Sequence, residues 1–189
     1  MKQHIIPALR LTLACLIFFC GFYTLMIWGI AQASPGKGEG VAVLVKDKVV
    51  GYALEGQNFS ADKYFWSRPS AAGYNAAGSS GSNKGPTNPD YLKDVNSRID
   101  SFLAHNKGID KINIPSDLVT ASGSGLDPDI SREAAFIQIA RIAKIRGMTE
   151  DAVKTLVEKH IDAPLLGLMG TEKVNVLGLN IDLDKLNSR

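Results

Sequence analysis

The apolar positions of this chain form one unbroken block followed by short, interrupted runs. Leu11 to Ala33, LTLACLIFFCGFYTLMIWGIAQA, holds no charged residue. Its most apolar part, Leu11 to Ile30, rises roughly 30 Å as an α-helix, the thickness of a bilayer's hydrocarbon core. A lone strand is excluded there, because its backbone groups find no partner in lipid. The pattern therefore predicts one transmembrane helix over 11–33. Ala31-Gln32-Ala33 before Ser34 also fits a small-x-small cleavage site, so a cleaved signal segment is the alternative. A signal's apolar region usually runs about 7 to 15 residues, and the greater length here favours an anchor. Lys2 and Arg10 precede the block, whereas Lys37 and Glu39 follow it beyond a Ser-Pro-Gly spacer. By the positive-inside rule residues 1–10 are cytoplasmic and the body lies outside, as in a single-pass protein of the cell (inner) membrane.

Beyond a flexible tether over 34–40, Val41 to Leu54 reads VAVLVKDKVVGYAL, two β-rich runs around Lys46-Asp47-Lys48 that predict a hairpin. Residues 57–90 lose all periodicity and are dense in Gly, Ser, Asn and Pro, yet they contain Phe59, Tyr64, Phe65, Trp66 and Tyr74. Disordered tracts are poor in aromatic residues, so an ordered irregular surface is expected, of the kind on which binding residues concentrate. Asn88 as N-cap and Pro89 at the first helical position open a helix with Leu92, Val95, Ile99 and Leu103 at core spacing, ending near Lys107-Gly108. A second loop, Ile112 to Asp129, leads into a helix from Asp129 or Ser131 to Arg146, with Ala135, Ile139, Ile142 and Ala143 inward and Gly147 as its stop. Thr149 caps a third helix, with Glu150 and Asp151 favouring the positive end of its dipole. His160 near its end reads as a residue compatible with the dipole there. Lys173 to Leu183, KVNVLGLNIDL, alternates as a strand does. The fold class is α+β: one transmembrane helix, then a single extracytoplasmic domain over 41–189 with a small sheet, about three helices and long ordered loops.

Composition narrows the chemistry. About 155 of the 189 residues remain beyond the anchor, enough for one domain with a core. A net charge of +2 marks neither a nucleic-acid surface nor a polybasic lipid patch. Both cysteines, Cys15 and Cys20, lie in the apolar block, so the body has no disulfide framework and no thiolate metal site. Small residues in the block, Cys20, Gly21 and Gly29, are candidates for close packing against a neighbouring helix.

No catalytic constellation is found. The chain lacks a GxxxxGK[ST] phosphate loop, a GxSxG elbow and the Asp-Lys-Thr-Gly run of a phosphorylated pump aspartate, and His4, His105 and His160 are scattered. The loop from Ser122 to Asp127, with Ser124 and flanking glycines, is of a composition that presents backbone N–H groups to an anion. Asp127 and Asp129 oppose that use electrostatically. Gln138 and Arg141, one turn apart on an apolar helix, are candidates to anchor a partner or a buried loop.

The runs Tyr64-Phe65-Trp66-Ser67-Arg68-Pro69-Ser70-Ala71, Gly81-Ser82-Asn83 through Gly85-Pro86-Thr87-Asn88-Pro89, and Asp117 to Pro128 resemble the KdpC subunit of the bacterial potassium-transporting P-type ATPase. So do Gln138 with Arg141, the closing Val174 to Asn180 and the single N-terminal span. The resemblance covers essentially the whole chain. Two departures are local: Ser79-Ser80-Gly81-Ser82-Asn83 stands where the family has an Ala-Ser-Gly-Gly-Ser-Asn run, and Arg132 where proline is common. The resemblance implies a non-catalytic accessory subunit of an ATP-driven potassium uptake complex, acting in assembly or as a catalytic chaperone that raises the ATP affinity of the hydrolysing subunit. It implies three partners: a channel-like potassium-translocating subunit, a P-type ATP-hydrolysing subunit and a very small single-span subunit. No cofactor is expected on this chain alone, the complex using ATP and potassium. The docking or motif candidates are Arg68, Pro69, Ser70, Asn83, Thr87, Asn88, Ser122, Ser124, Asp127, Gln138 and Arg141. Direct nucleotide contact through Ser122 to Asp127, and a cleaved exported binding protein, are the alternatives.

Overall fold

A computed structural model describes residues 2–164 and 166–186. The chain divides into two compact units, one up to Ala42 and one from Val43.

The first unit is a continuous helix made of α1 (Lys2–Leu16), a π-helical stretch (Ile17–Tyr23) and α2 (Thr24–Gln32). Its 30 residues from Gln3 to Gln32 are long and apolar enough to cross a membrane. They span roughly 45 Å, the thickness of a bilayer with its headgroups. The π-helical turns widen the backbone ladder. Thr24 compensates in part, its hydroxyl donating to the Phe19 carbonyl five residues back at 3.0 Å. Beyond Ala33 the chain turns through Pro35–Gly38, with positive φ at Gly36, Lys37, Gly38 and Gly40.

The second unit begins with the predicted hairpin, β1 (Ala42–Val45) and β2 (Lys48–Tyr52). Lys46 and Asp47 join the strands with φ of 50° and 61°, the left-handed pair that matches strand twist in a two-residue turn. Residues 53–88 then run without helix or strand apart from one turn at Ala76–Gly78. α3 (Pro89–His105) starts where predicted, the Asn88 side chain accepting from Tyr91 N–H. Phe102 is its deepest residue and Leu92 is exposed, so its inward face is rotated from the one the apolar spacing suggests.

Two predicted elements are corrected. The helix expected from Asp129 or Ser131 to Arg146 opens with a strand, β3 (Asp129–Ser131), and is broken into α4 (Arg132–Phe136) and α5 (Ile139–Arg146). Ser131 is the N-cap, its hydroxyl accepting from Ala134 N–H at 3.1 Å. Gly147 closes α5 at φ 65°, and α6 (Glu150–Lys159) follows from its Thr149 cap. His160 is the C-cap of α6, with Nδ1 3.0 Å from the Leu156 carbonyl and Nε2 3.1 Å from Asp182. After β4 (Ile161–Asp162), the tail expected as one strand is β5 (Lys173–Asn175) and then α7 (Val176–Leu186). Asn175 accepts from Gly178 N–H at 2.9 Å and so starts the helix in place of a longer strand. This unit thus carries five helices among its described residues.

β5 is the central strand of an antiparallel sheet ordered β3-β5-β4, with Ile130 and Ile161 both opposite Val174. Those side chains meet Ile142 of α5, Val153 and Val157 of α6, and Leu179 and Leu183 of α7 in one core. Phe65 of the irregular stretch and Phe102 of α3 complete it.

Candidate functional site

Residues 62–66 lie against the core without a strand partner, so their backbone groups need partners of another kind. Side chains supply them. From α7, Asn180 accepts from Phe65 N–H at 2.9 Å and donates to the Phe65 carbonyl at 3.0 Å, reproducing one rung of a β-ladder. At the α4–α5 break, Gln138 accepts from Trp66 N–H at 2.8 Å and donates to the Ala134 carbonyl. Arg141, one turn on, donates through Nη1 to the carbonyls of Asp62 and Tyr64, through Nη2 to Gln138 Oε1 at 2.7 Å, and through Nε to Asn106 Oδ1 at 2.9 Å. Its guanidinium also lies 4.9 Å from the Trp66 ring centroid. Burial brings this guanidinium's pKa down to about 10, partly opposed by the Asp62 carboxylate, so it remains a cation at neutral pH. His105 Nδ1 approaches Asp62 at 2.7 Å.

At the edge of this strap Arg146 donates to the Lys63 carbonyl and to Asp184, and the Tyr64 hydroxyl donates to Asp184 at 2.9 Å. The Tyr64 phenol is pushed up, first by desolvation and then by the Asp184 carboxylate.

Over the strap lies a layer built from two loops. Arg68 pairs with Asp127 at 2.7 Å, both about a quarter exposed. Ser122 N–H donates to the Pro69 carbonyl at 3.0 Å, and the Ser70 hydroxyl donates to the Gly125 carbonyl at 2.7 Å while accepting from Ala72 and Tyr74 N–H. Ser79 donates to the Ser124 carbonyl. Inside the second loop Gly125 N–H donates to the Ser122 hydroxyl, Leu126 N–H to the Ser124 hydroxyl and Asp129 N–H to Asp127 Oδ1. Gly125 has φ 69°, and a Cβ there would lie 2.8 Å from both the Ser80 carbonyl oxygen and the Ala72 Cβ. Only glycine fits between the two loops at that point.

Of the sequence candidates, Arg68, Pro69, Ser70, Ser122, Ser124 and Asp127 are brought together in this layer, while Gln138 and Arg141 hold the preceding strap. Asn83 (φ 53°) and Thr87 lie apart on an exposed stretch, and Asn88 is engaged as the cap of α3. In the long helix Cys20 sits within the π-helical stretch, and the space around a Cβ at Gly21 or Gly29 is open. Asn106, Arg146, Asn180 and Asp184 were not singled out from sequence. Asn180 carried a signal: on a helix it shares the face of Val176, Leu179 and Leu183, and a polar residue there needs a buried partner.

Chemically, the layer is bonded largely to itself. The loop's N–H groups at Ser122, Gly125, Leu126 and Asp129 all donate within the protein. Among the described residues no group of His, Cys, Asp and Glu is disposed to hold a metal ion.

One long apolar helix followed by an α+β unit, whose loops are tied by side chains, fits a single-span membrane subunit. The family model described as "KdpC: K+-transporting ATPase, c chain" matches residues 5–185, and the chain belongs to that family, a subunit of the potassium-transporting ATPase complex. Relatives named potassium-transporting ATPase KdpC subunit include one from Bacteroides fragilis, 49% identical over 190 residues that cover 99% of this chain and 100% of that one. Another, from Bacteroides thetaiotaomicron, is 50% identical over 97% of this chain and 98% of its own. A third, from Flavobacterium psychrophilum, is 52% identical over 97% of this chain and 99% of its own.

Proposed function

We propose that the chain is a non-catalytic accessory subunit of an ATP-driven potassium uptake complex, inserted with its N-terminus in the cytoplasm and its α+β domain outside. In this role the domain docks on the channel-like translocating subunit, and the helix packs beside partner helices through Cys20, Gly21 and Gly29. The observation that supports the reading is the two-loop layer, in which the N–H groups of Ser122, Gly125, Leu126 and Asp129 are committed to internal acceptors while Arg68 and Asp127 remain partly exposed. The carboxylates of Asp127 and Asp129 beside it repel a phosphate, so this loop is poor as a nucleotide cradle and better suited as a recognition surface. Any gain in ATP affinity of the hydrolysing subunit is then a coupling between distant sites. ATP and potassium belong to the complex, and this chain alone holds no cofactor.

Expression of the complex without this chain tests the role: recovery of the remaining subunits and potassium-stimulated ATP hydrolysis both fall. An intact, fully active pump lacking the chain would sink the proposal. Protease added to spheroplasts degrades the domain if it lies outside; protection, together with labelling of Ser122 to Asp127 by a photoreactive ATP, would establish the nucleotide reading instead. The intact mass of the mature chain retains the N-terminal helix, whereas a cleaved exported protein would begin near Ser34.

A further inference from the structure

The turn joining β4 to β5 holds three large apolar side chains in water: Leu166 is 82% exposed, Leu168 88% and Met169 64%. Ile112, from a different part of the chain, is 91% exposed. Ile112 and the return limb of that turn, Thr171 to Lys173, line one cavity of about 940 Å³. Thr171 follows Met169 by two residues, so the exposed apolar turn runs directly into the wall of the cleft, and apolar side chains so exposed mark a surface that is covered in use.

The same cleft is acidic. Asp117, Asp127, Asp129, Glu133 and Glu172 line it, against the cations Arg68 and Lys173. Arg68 is held by Asp127 and Lys173 by Asp129 at 2.6 Å, while Arg132 reaches Glu172 at 3.3 Å. Asp117 accepts only neutral donors, the N–H and hydroxyl of Ser131, so its charge and that of Glu133 have no cation of their own among the described residues. The Lys173 ammonium is held above the usual lysine range, first by its bond to Asp129, with Asp162 and Asp127 adding to the negative field.

We infer that this cleft with its apolar rim is the docking site for an extramembrane segment of another subunit of the potassium-transporting ATPase, a segment bearing a Lys or Arg flanked by large apolar side chains. The inference rests on the reading of the chain as a complex-forming subunit and names the surface that does the docking. A bilayer fits less well, because anionic headgroups are repelled by the carboxylates. Residues 166–170 also include no Lys, Arg, Trp or Tyr, the side chains that settle at membrane interfaces. A symmetric second copy sets the acidic cleft against itself.

The test uses the full complex with a photo-crosslinking amino acid at position 112 or 168 of this chain, and at exposed position 93 of α3 as control. Adducts identified by mass as another ATPase subunit are expected from 112 and 168 and not from 93. The double variants Leu168→Asp with Met169→Asp, and Glu133→Lys with Glu172→Lys, lower recovery of that subunit about tenfold or more, the size expected for interface anchors. The charge variants' defect also changes with salt. Adducts only to lipid, adducts only to a second copy of this chain, or wild-type recovery in both doubles would overturn the inference. If omitting the chain disrupts the complex while both doubles assemble normally, the cleft assignment alone fails. If omission changes nothing, the underlying reading fails with it.

Discussion

Residues 62–70 and the turn over 166–172 are both connections without regular structure, yet they treat their surroundings in opposite ways. The first carries Phe65 and Trp66 inward, and Asn180, Gln138, Arg141 and Arg146 bond the backbone of residues 62–66 at nearly every step. The second makes a local turn, Gly167 N–H to the Pro164 carbonyl, and holds Leu166, Leu168 and Met169 in water. Irregular backbone is therefore no measure of order in this domain. What separates the regions is whether side chains from distant helices have replaced the missing ladder. Where they have, the loop belongs to the core; where they have not, the apolar side chains are left for something else to cover.

The strongest way to break this contrast is to remove the strap's central cation. Arg141→Ala leaves the carbonyls of Asp62 and Tyr64 and the side-chain oxygen of Asn106 without this donor, and should cost about 3–5 kcal/mol in urea unfolding of the full chain in detergent, the sum of several unsatisfied acceptors. Arg141→Lys recovers only part of that, since an ammonium cannot present the same planar fork. An Arg141→Ala chain as stable as wild type would show that the strap is incidental.

Next in size is Asn180→Ala, which strips both bonds from Phe65 and should cost about 2–3 kcal/mol by the same measurement. A matched pair of truncations then sharpens the comparison. Leu179→Ala in the core should cost about 2–5 kcal/mol. Leu168→Ala on the exposed turn should change stability by no more than about 0.5 kcal/mol, because the side chain is almost fully in water. A large loss from Leu168→Ala would place the turn with the core and remove the contrast.

The same contrast explains what sequence reasoning reached. The Lys46-Asp47 turn, the Asn88-Pro89 start, the Gly147 stop and the Thr149 cap are local signals, each decided within a few residues, and each stands where expected. Aromatic residues in the 57–90 tract indicated an ordered surface, but its strap bonds join residues 72 to 115 positions apart, and no local pattern carries that information. The tail failed for another reason. Leu177, Leu179, Ile181 and Leu183 fit a two-residue period, while Val176, Leu179 and Leu183 fit a helical one, and the capping bond from Gly178 to Asn175 decides between them. The break before α5 was equally hidden, because Ala135, Ile139 and Ile142 keep helical spacing across it.

The smallest effect concerns α7, the helix that contributes Asn180 to the strap. The Asp182 carboxyl is held below its ordinary range, first by the hydrogen bond from Lys185 and then by the charges of Lys185 and His160, against a smaller opposing effect of burial. A folded-state value below the unfolded one means that the unfolded chain binds more protons as the pH falls between them. The stabilisation is therefore present above the unfolded carboxyl range and is lost as the pH drops through the folded one. The Asp182 side chain is 41% exposed, so solvent screening limits the effect to about 0.3–0.5 kcal/mol. Asp182→Asn should lower the urea midpoint slightly at pH 7, and its difference from wild type should shrink as the pH falls through the lowered range of the folded carboxyl and vanish below it, where both side chains are uncharged. A difference that persisted below that range would mean that Asp182 acts through packing or neutral hydrogen bonds, and that α7 is held in place by its buried face and the Asn180 bonds alone.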